Sequence, residues 1–272
     1  MRVLGIVGAP DETVATLAEQ FVEEFAAEGP TAHVTNLESS PADGAVPDRR
    51  GKSADATYGL SEDGHWTATG RERRVAEVLD DLAPDYEYVV LEGFPDATVP
   101  GIVVGDVEYA GEVLGTGSST EDFDVSEVAA DLRETEPYET LESLVDRIKG
   151  AEQAEQAGAI ATFTGRVRAK EDADDEPTTF LEFEKYEGVA EQKMADISEE
   201  LADRDGVIEV LLHHRSGVIE YGEDIVFVVV LAGHREEAFE TVRDGINRLK
   251  DEVPIFKKEV TTDEEFWVHD RE

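Results

Sequence analysis

Lysine is scarce in this chain, eight among 272 residues, yet Lys250, Lys257 and Lys258 fall within nine positions. Against a background of 65 acidic and 24 basic residues, such a cluster calls for a reason beyond surface solvation. An amine held among other cations gives up its proton more readily, which suits acid–base work near neutral pH. Two further basic groups join it. In Gly165-Arg166-Val167-Arg168 the two arginines are spaced to share one face of a strand. His234 and Arg235 follow the apolar run 225–231 and precede a helix predicted to begin at Glu236. They therefore stand at a helix N-terminus, where free N–H groups and the dipole favour an anion. Pro254 ends that helix just beyond Lys250, and Phe256-Lys257-Lys258 then turns the lysines back toward one pocket. The set reads as a site for a phosphate-bearing small molecule. The competing reading of the lysines alone is salt-bridging on the surface.

The elements that must position these groups fall into two halves of an α/β chain. Residues 3–7 predict a buried strand, and 12–27 a helix with Val14, Leu17, Ala18, Phe21 and Phe25 on one face. A strand over 32–35 would complete a parallel βαβ unit. Residues 37–70, rich in Gly, Pro, Asp and Ser, predict a long irregular excursion whose Trp66 packs back on the domain. Helices over 75–82 and 125–132 and strands over 88–93 and 102–104 follow. Residues 133–138 have linker character, which divides the chain into domains 1–136 and 137–272. The second half predicts helices over 141–156, 189–202 and 236–252, and strands over 159–167, 179–185, 207–214 and 225–231. His213 and His214, adjacent in a strand, point to opposite faces and read as structural; Glu182 and Glu184 read as solvated. Phe180, Phe183 and Tyr186 fit either a core or a subunit interface.

A formal net charge of −41, spread over the whole length, indicates a solvated surface adapted to a high-salt cytoplasm, where screening relieves self-repulsion. The same charge repels a phosphate backbone, so no nucleic-acid partner is expected. The chain has no cysteine, hence neither disulfides nor thiolate metal sites. No apolar run approaches the roughly 20 residues of a membrane span, and the N-terminus enters a strand directly, so a cytoplasmic location without a membrane partner is expected.

A strand, a glycine turn and a helix at the N-terminus is the setting of a phosphate-binding loop. With Gly8 as the first glycine, the second falls on Thr13, the lysine on Val14 and the hydroxyl on Ala15, so the working parts are missing. Gly51-Lys52-Ser53 is no substitute, because no buried strand leads into it. Leu4-Gly5-Ile6-Val7-Gly8 with Val90-Leu91-Glu92-Gly93-Phe94 nonetheless resembles the molybdopterin-guanine dinucleotide accessory protein family, GTP-binding partners in late molybdenum cofactor assembly. The resemblance implies a P-loop-like α/β domain with a parallel sheet. The lost loop residues argue against nucleotide binding and for a role in assembly or stability.

In the second half, Phe163-Thr164-Gly165-Arg166-Val167-Arg168, Gly222-Glu223-Asp224-Ile225-Val226-Phe227-Val228, Ala232-Gly233-His234-Arg235, Pro254-Ile255-Phe256-Lys257-Lys258-Glu259 and Trp267-Val268 resemble, in order, the molybdopterin synthase large-subunit family. The resemblance implies an α/β hammerhead (α+β) domain that forms a homodimer and, with its small subunit, a heterotetramer. That partner is a ubiquitin-like sulfur carrier whose C-terminal thiocarboxylate enters the active site. The implied reaction transfers its sulfur to cyclic pyranopterin monophosphate, forming the dithiolene of molybdopterin, with no cofactor. The resemblance makes Lys250 and Lys257 catalytic, and Arg168, His234 and Arg235 contacts to the substrate anion. Arg166, Lys258 and Glu259 stand in the same binding motifs, and Arg271 matches an arginine that reaches the site across the dimer. Ile255-Phe256 departs from the aromatic pair commoner before Lys257. Lacking a thiolate of its own, the chain must receive sulfur from a partner. An activated carbonyl beside Lys250 is also open to attack by the amine, so an isopeptide side product is expected when pterin is absent. Two other readings compete: a non-catalytic scaffold for cofactor assembly, which has no use for the basic set, and a GTPase, which Thr13, Val14 and Ala15 disfavour.

Overall fold

The computed structural model describes residues 1–37, 56–70, 72–170, 176–186, 188–261 and 265–268, the last four as backbone. The chain forms two compact units, Met1–Thr140 and Leu141–Glu272.

The first unit runs β1 (Arg2–Gly8), α1 (Asp11–Ala26), β2 (Thr31–Thr35), β3 (Thr57–Leu60), β4 (Trp66–Thr69), α2 (Val75–Leu82), β5 (Tyr88–Glu92), β6 (Gly101–Val104), β7 (Val113–Gly117) and α3 (Val125–Glu134). Five of the strands form a parallel sheet in the order β2-β5-β1-β6-β7. Such a sheet is buried on both faces, which is why β1 and β5 read as unbroken apolar runs. Leu4 and Ile6 pack with Leu17, Phe21 and Phe25 of α1 and Leu132 of α3. Val3 packs the other way, with Val89, Leu91 and Leu79 of α2. At the end of β1, Gly8 has φ +135°, and a Cβ there would lie 1.9 Å from the Val104 carbonyl oxygen. The close approach of β1 to β6 needs glycine.

Two expectations change here, and one strand joins that no expectation covered. The polar excursion contains a short antiparallel hairpin, β3 with β4, and Trp66 on it is 57% exposed instead of packed. Strand β7, with two glycines and no alternation, takes its form from pairing with β6. Helix α3, capped by the Asp124 side chain on the Ser126 and Glu127 N–H groups, runs on to Glu134 into the stretch expected as linker.

The second unit runs α4 (Leu141–Lys149), β8 (Ala159–Arg166), β9 (Thr178–Lys185), α5 (Val189–Ala202), β10 (Val207–His214), β11 (Gly217–Glu220), β12 (Asp224–Ala232), α6 (Arg235–Glu252), β13 (Ile255–Thr261) and β14 (Glu265–Val268). Helix α4 stops at Lys149, before Gly150, and does not reach residue 156. One sheet has the order β10-β12-β8, the other β11-β9-β13-β14, and both are antiparallel. Alternation along β12 divides the core. Val226, Val228, Val230 and Ala232 face Met194, Ile197 and Leu201 of α5 and Ile246 and Leu249 of α6. Phe227, Val229 and Leu231 face Leu144 and Ile148 of α4. Helix α6 lies close to β12 at Gly245, where a Cβ would come within 3.0 Å of a Val228 methyl. Among the described residues, no helix is long and apolar enough to cross a membrane.

Candidate active site

The two ends of α6 carry the expected anion and acid–base groups. His234 is the N-cap, with extended backbone and no side-chain cap hydrogen bond, and Arg235 is the first helical residue; both are exposed. Glu236 and Glu237 share that first turn. Lys250 lies in the last turn, exposed. Fifteen residues at 1.5 Å each put Arg235 and Lys250 about 22 Å apart along the axis. Within one copy, the structure does not bring these two groups together.

Lys250 is carried on a turn held rigid by charge. Arg248 donates to Glu252 at 2.6 Å and contacts Glu200 of α5 at 2.7 Å, while Lys193 of α5 lies 2.8 Å from Glu252. Hydrogen bonds from Arg248 first, then Lys193, hold the Glu252 carboxyl down to about 2. Lys250, two residues from each of Arg248 and Glu252, projects from the opposite side of the helix. The Arg248–Glu252 spacing of four was legible in the sequence; that α5 completes the network was not.

Beyond Pro254, the lysine segment is a strand rather than a turn. Alternation therefore splits Lys257 from Lys258, and the expectation that both fold toward one pocket fails. Lys257, half-buried, lies opposite the buried Phe183 and 3.7 Å from Glu259. Lys258 is on the other face, 3.3 Å from Glu182. Glu182 is thus an ion-pair partner instead of merely solvated.

Strand β8 ends at Arg166, which donates to the Gly222 carbonyl and lies 3.3 Å from Asp224. Val167 is buried between exposed Arg166 and Arg168, its backbone paired with Gly222 and Glu223. The segment is tied to β9 where the Thr178 N–H donates to the Ala169 carbonyl at 2.7 Å. Arg168, Lys257 and Glu259 are thus joined through neighbouring backbone, the Ala169–Thr178 hydrogen bond and the β9–β13 ladder, while Lys250 precedes Pro254 by four residues in the chain. His234 and Arg235 form a separate group, and Arg271 lies outside the described residues.

The remaining candidates are structural. His213 stacks on Phe227 with ring centroids 6.2 Å apart, and His214 meets Phe183 edge-on at 4.9 Å. Phe183 is core, while Tyr186, 63% exposed, stands edge-on to Phe256. In the first unit, a crevice at the carboxyl ends of β1 and β5 is lined by Gly8, Asp11, Val14, Glu92 and Gly93. Glu92 lies 2.8 Å from the His33 ring and accepts from Thr35. Two carboxylates with Val14 where a lysine would stand make a poor seat for phosphate. Among the described residues, no group of three or more His, Asp or Glu could hold a metal ion.

Comparison with known proteins agrees on the second unit and extends to the first. The MoaE protein family matches residues 120–252. A probable molybdopterin synthase of Haloferax volcanii is 55% identical over 271 residues, covering 100% of each chain. The molybdopterin synthase catalytic subunit of Bacillus subtilis is 40% identical over 124 residues, covering 46% of this chain and 77% of its own length. Among solved structures, molybdopterin synthase from Staphylococcus aureus aligns with a TM-score of 0.40 at 33% identity, covering 43% of this chain and 89% of that one.

Proposed function

The chain belongs to the molybdopterin synthase family, and on that premise we propose that its second unit is the catalytic subunit. It transfers sulfur from the C-terminal thiocarboxylate of a ubiquitin-like small partner to cyclic pyranopterin monophosphate. The observation that carries this reading is the turn at Pro254. On its two sides stand Lys250 and the half-buried Lys257, with the Arg168 segment tied to the neighbouring strand. Lys250 serves acid–base chemistry at the thiocarboxylate, and Lys257 assists at the pterin side chain. Arg168, His234 and Arg235 hold the phosphate, with Arg166, Lys258, Glu259 and Arg271 supporting the same motifs.

The separation of about 22 Å between Arg235 and Lys250 supports a homodimer. One copy supplies the lysines and Arg168, and the partner copy supplies the start of its α6. With one small subunit per site the assembly is a heterotetramer. Mixing Lys250→Ala copies with Arg235→Ala copies, then assaying dithiolene formation in molar salt, tests this. Mixed dimers should recover activity that neither variant has alone. No recovery would mean that each site is built within one copy.

The first unit we read as a degenerate P-loop domain like the molybdopterin-guanine dinucleotide accessory proteins, joined to the synthase domain between residues 136 and 141. Its parallel sheet with β1 central and a glycine turn into α1 supports this, as does the missing loop lysine. The Haloferax volcanii relative spans both units, which fits a role for the first in assembly or stability.

A further inference from the structure

Thr178 makes two connections at once. Its N–H holds the Ala169 carbonyl, one residue past Arg168, and its hydroxyl donates to one oxygen of the Glu259 carboxylate. The other oxygen of that carboxylate lies 3.7 Å from the Lys257 ammonium. Thr178 itself is 6% exposed.

An irregularity in the ladder puts it there. Between Lys257 and Val260, β13 pairs residue for residue with β9 from Phe183 back to Phe180, and then Thr261 pairs with Thr178. Thr179 is left without a counterpart, and a bulge of this kind re-aims the neighbouring side chain. Strict alternation would set Thr178 with Phe180 and Glu182. The bulge turns it instead onto the face of Lys257, Glu259 and Thr261. Thr179, the extra residue, is exposed and donates to the Val260 carbonyl at 2.9 Å.

A hydroxyl donating to a carboxylate makes a charge-assisted hydrogen bond, stronger than one between neutral groups. Here it fixes the rotation of Glu259, and so the counter-charge against which the Lys257 ammonium is set. We propose that Thr178 is a positioning residue of the sulfur-transfer site. It acts through Glu259 to orient Lys257, and its main chain couples that orientation to the Arg168 segment. The inference rests on the assignment of Lys257 to the site.

The test compares Thr178→Val, which keeps the shape and removes the donor, with Thr178→Ser, Glu259→Gln and the Thr178→Val/Glu259→Gln double variant. Each is assayed as the full chain with a thiocarboxylated small partner and cyclic pyranopterin monophosphate in molar salt. Thr178→Val should lower kcat about tenfold while leaving KM for the pterin within about twofold, the pattern of a lost transition-state interaction. Thr178→Ser should restore kcat. On the Glu259→Gln background the valine should add no further loss, because the hydroxyl acts through that carboxylate. If the valine variant does not fold, Thr178→Ala carries the same expectations. A wild-type kcat in the donorless variant, a serine that fails to rescue, or losses that add in full would each overturn the proposal. Lys257→Ala, run alongside, separates the two levels: full activity there removes the functional reading itself, whereas an impaired Lys257→Ala beside a normal Thr178→Val removes only this inference.

Discussion

At the scale of single residues, the proposed chemistry comes down to two lysines in unlike settings. Lys250 is exposed at a helix end, so truncating it removes the proposed reacting group and little packing. Lys250→Ala should lower dithiolene formation by about 10²–10⁴-fold, the range for a positioned acid–base group, with an unchanged melting temperature. Turnover near that of the parent protein would remove Lys250 from the mechanism. Lys257 faces a carboxylate instead of other cations, so Lys257→Ala also strands Glu259 beside a buried hydroxyl. That variant should lose both rate and substrate affinity. In the first unit, Thr13, Val14 and Ala15 stand where a phosphate loop needs glycine, lysine and a hydroxyl. Calorimetric titration of the full chain with GTP and magnesium should show no saturable binding; micromolar affinity would overturn that alignment.

Elements decide how those residues are held. Helix α6 is fastened to α5 by the Arg248, Glu252, Glu200 and Lys193 network, on the side away from Lys250. Exposed ion pairs taken singly are worth little, but this one is a network with a two-point arginine–carboxylate contact. The Glu252 carboxyl, held at about 2 against an ordinary 4.5, contributes stability that is complete above about pH 4.5 and is lost as pH falls through about 2. Acid unfolding of the parent and of Glu252→Gln should therefore differ most near neutrality, and the two should converge between pH 4.5 and 2. A gap that stays constant down to pH 2 would show that the network contributes nothing through this carboxylate.

For the whole molecule, 65 acidic residues against 24 basic ones set the solvent in which the fold is stable. Repulsion on that scale is long-ranged in dilute buffer and confined to a few ångströms in molar salt. The melting temperature should rise steeply from low salt to molar salt, and a flat profile would contradict a surface adapted to salt. The cations proposed for the site are few and several are paired within the unit, as Lys257 is with Glu259 and Lys258 with Glu182. Because these cations already carry a local counter-charge, their net pull on an anionic substrate is short-ranged, so substrate affinity should fall less with salt than a bare basic pocket would predict.

How much of this was legible beforehand follows from how local each cause is. The strands and helices that bury an apolar run or stripe, among them β1, α1, β5, α5, β10, β12 and α6, follow from periodicity within a dozen residues. The stop at Pro254 and the want of glycine, lysine and hydroxyl at residues 13–15 are equally local. The composition and the ordered motifs carried the family and its chemistry. Strands β7, β11 and β13 are a different matter, because their hydrogen-bonding partners lie elsewhere in the chain and their own patterns are short, charged or glycine-broken. Only the ladder between β13 and β9 decides that Lys257 and Lys258 part to opposite faces, that Glu182 becomes an ion-pair partner, and that a bulge brings Thr178 to a carboxylate 81 residues away. The sequence placed His234, Arg235 and Lys250 on one helix; the unbroken length of that helix then separates them, because a rigid rod of eighteen residues holds its ends apart whatever anion both ends could bind.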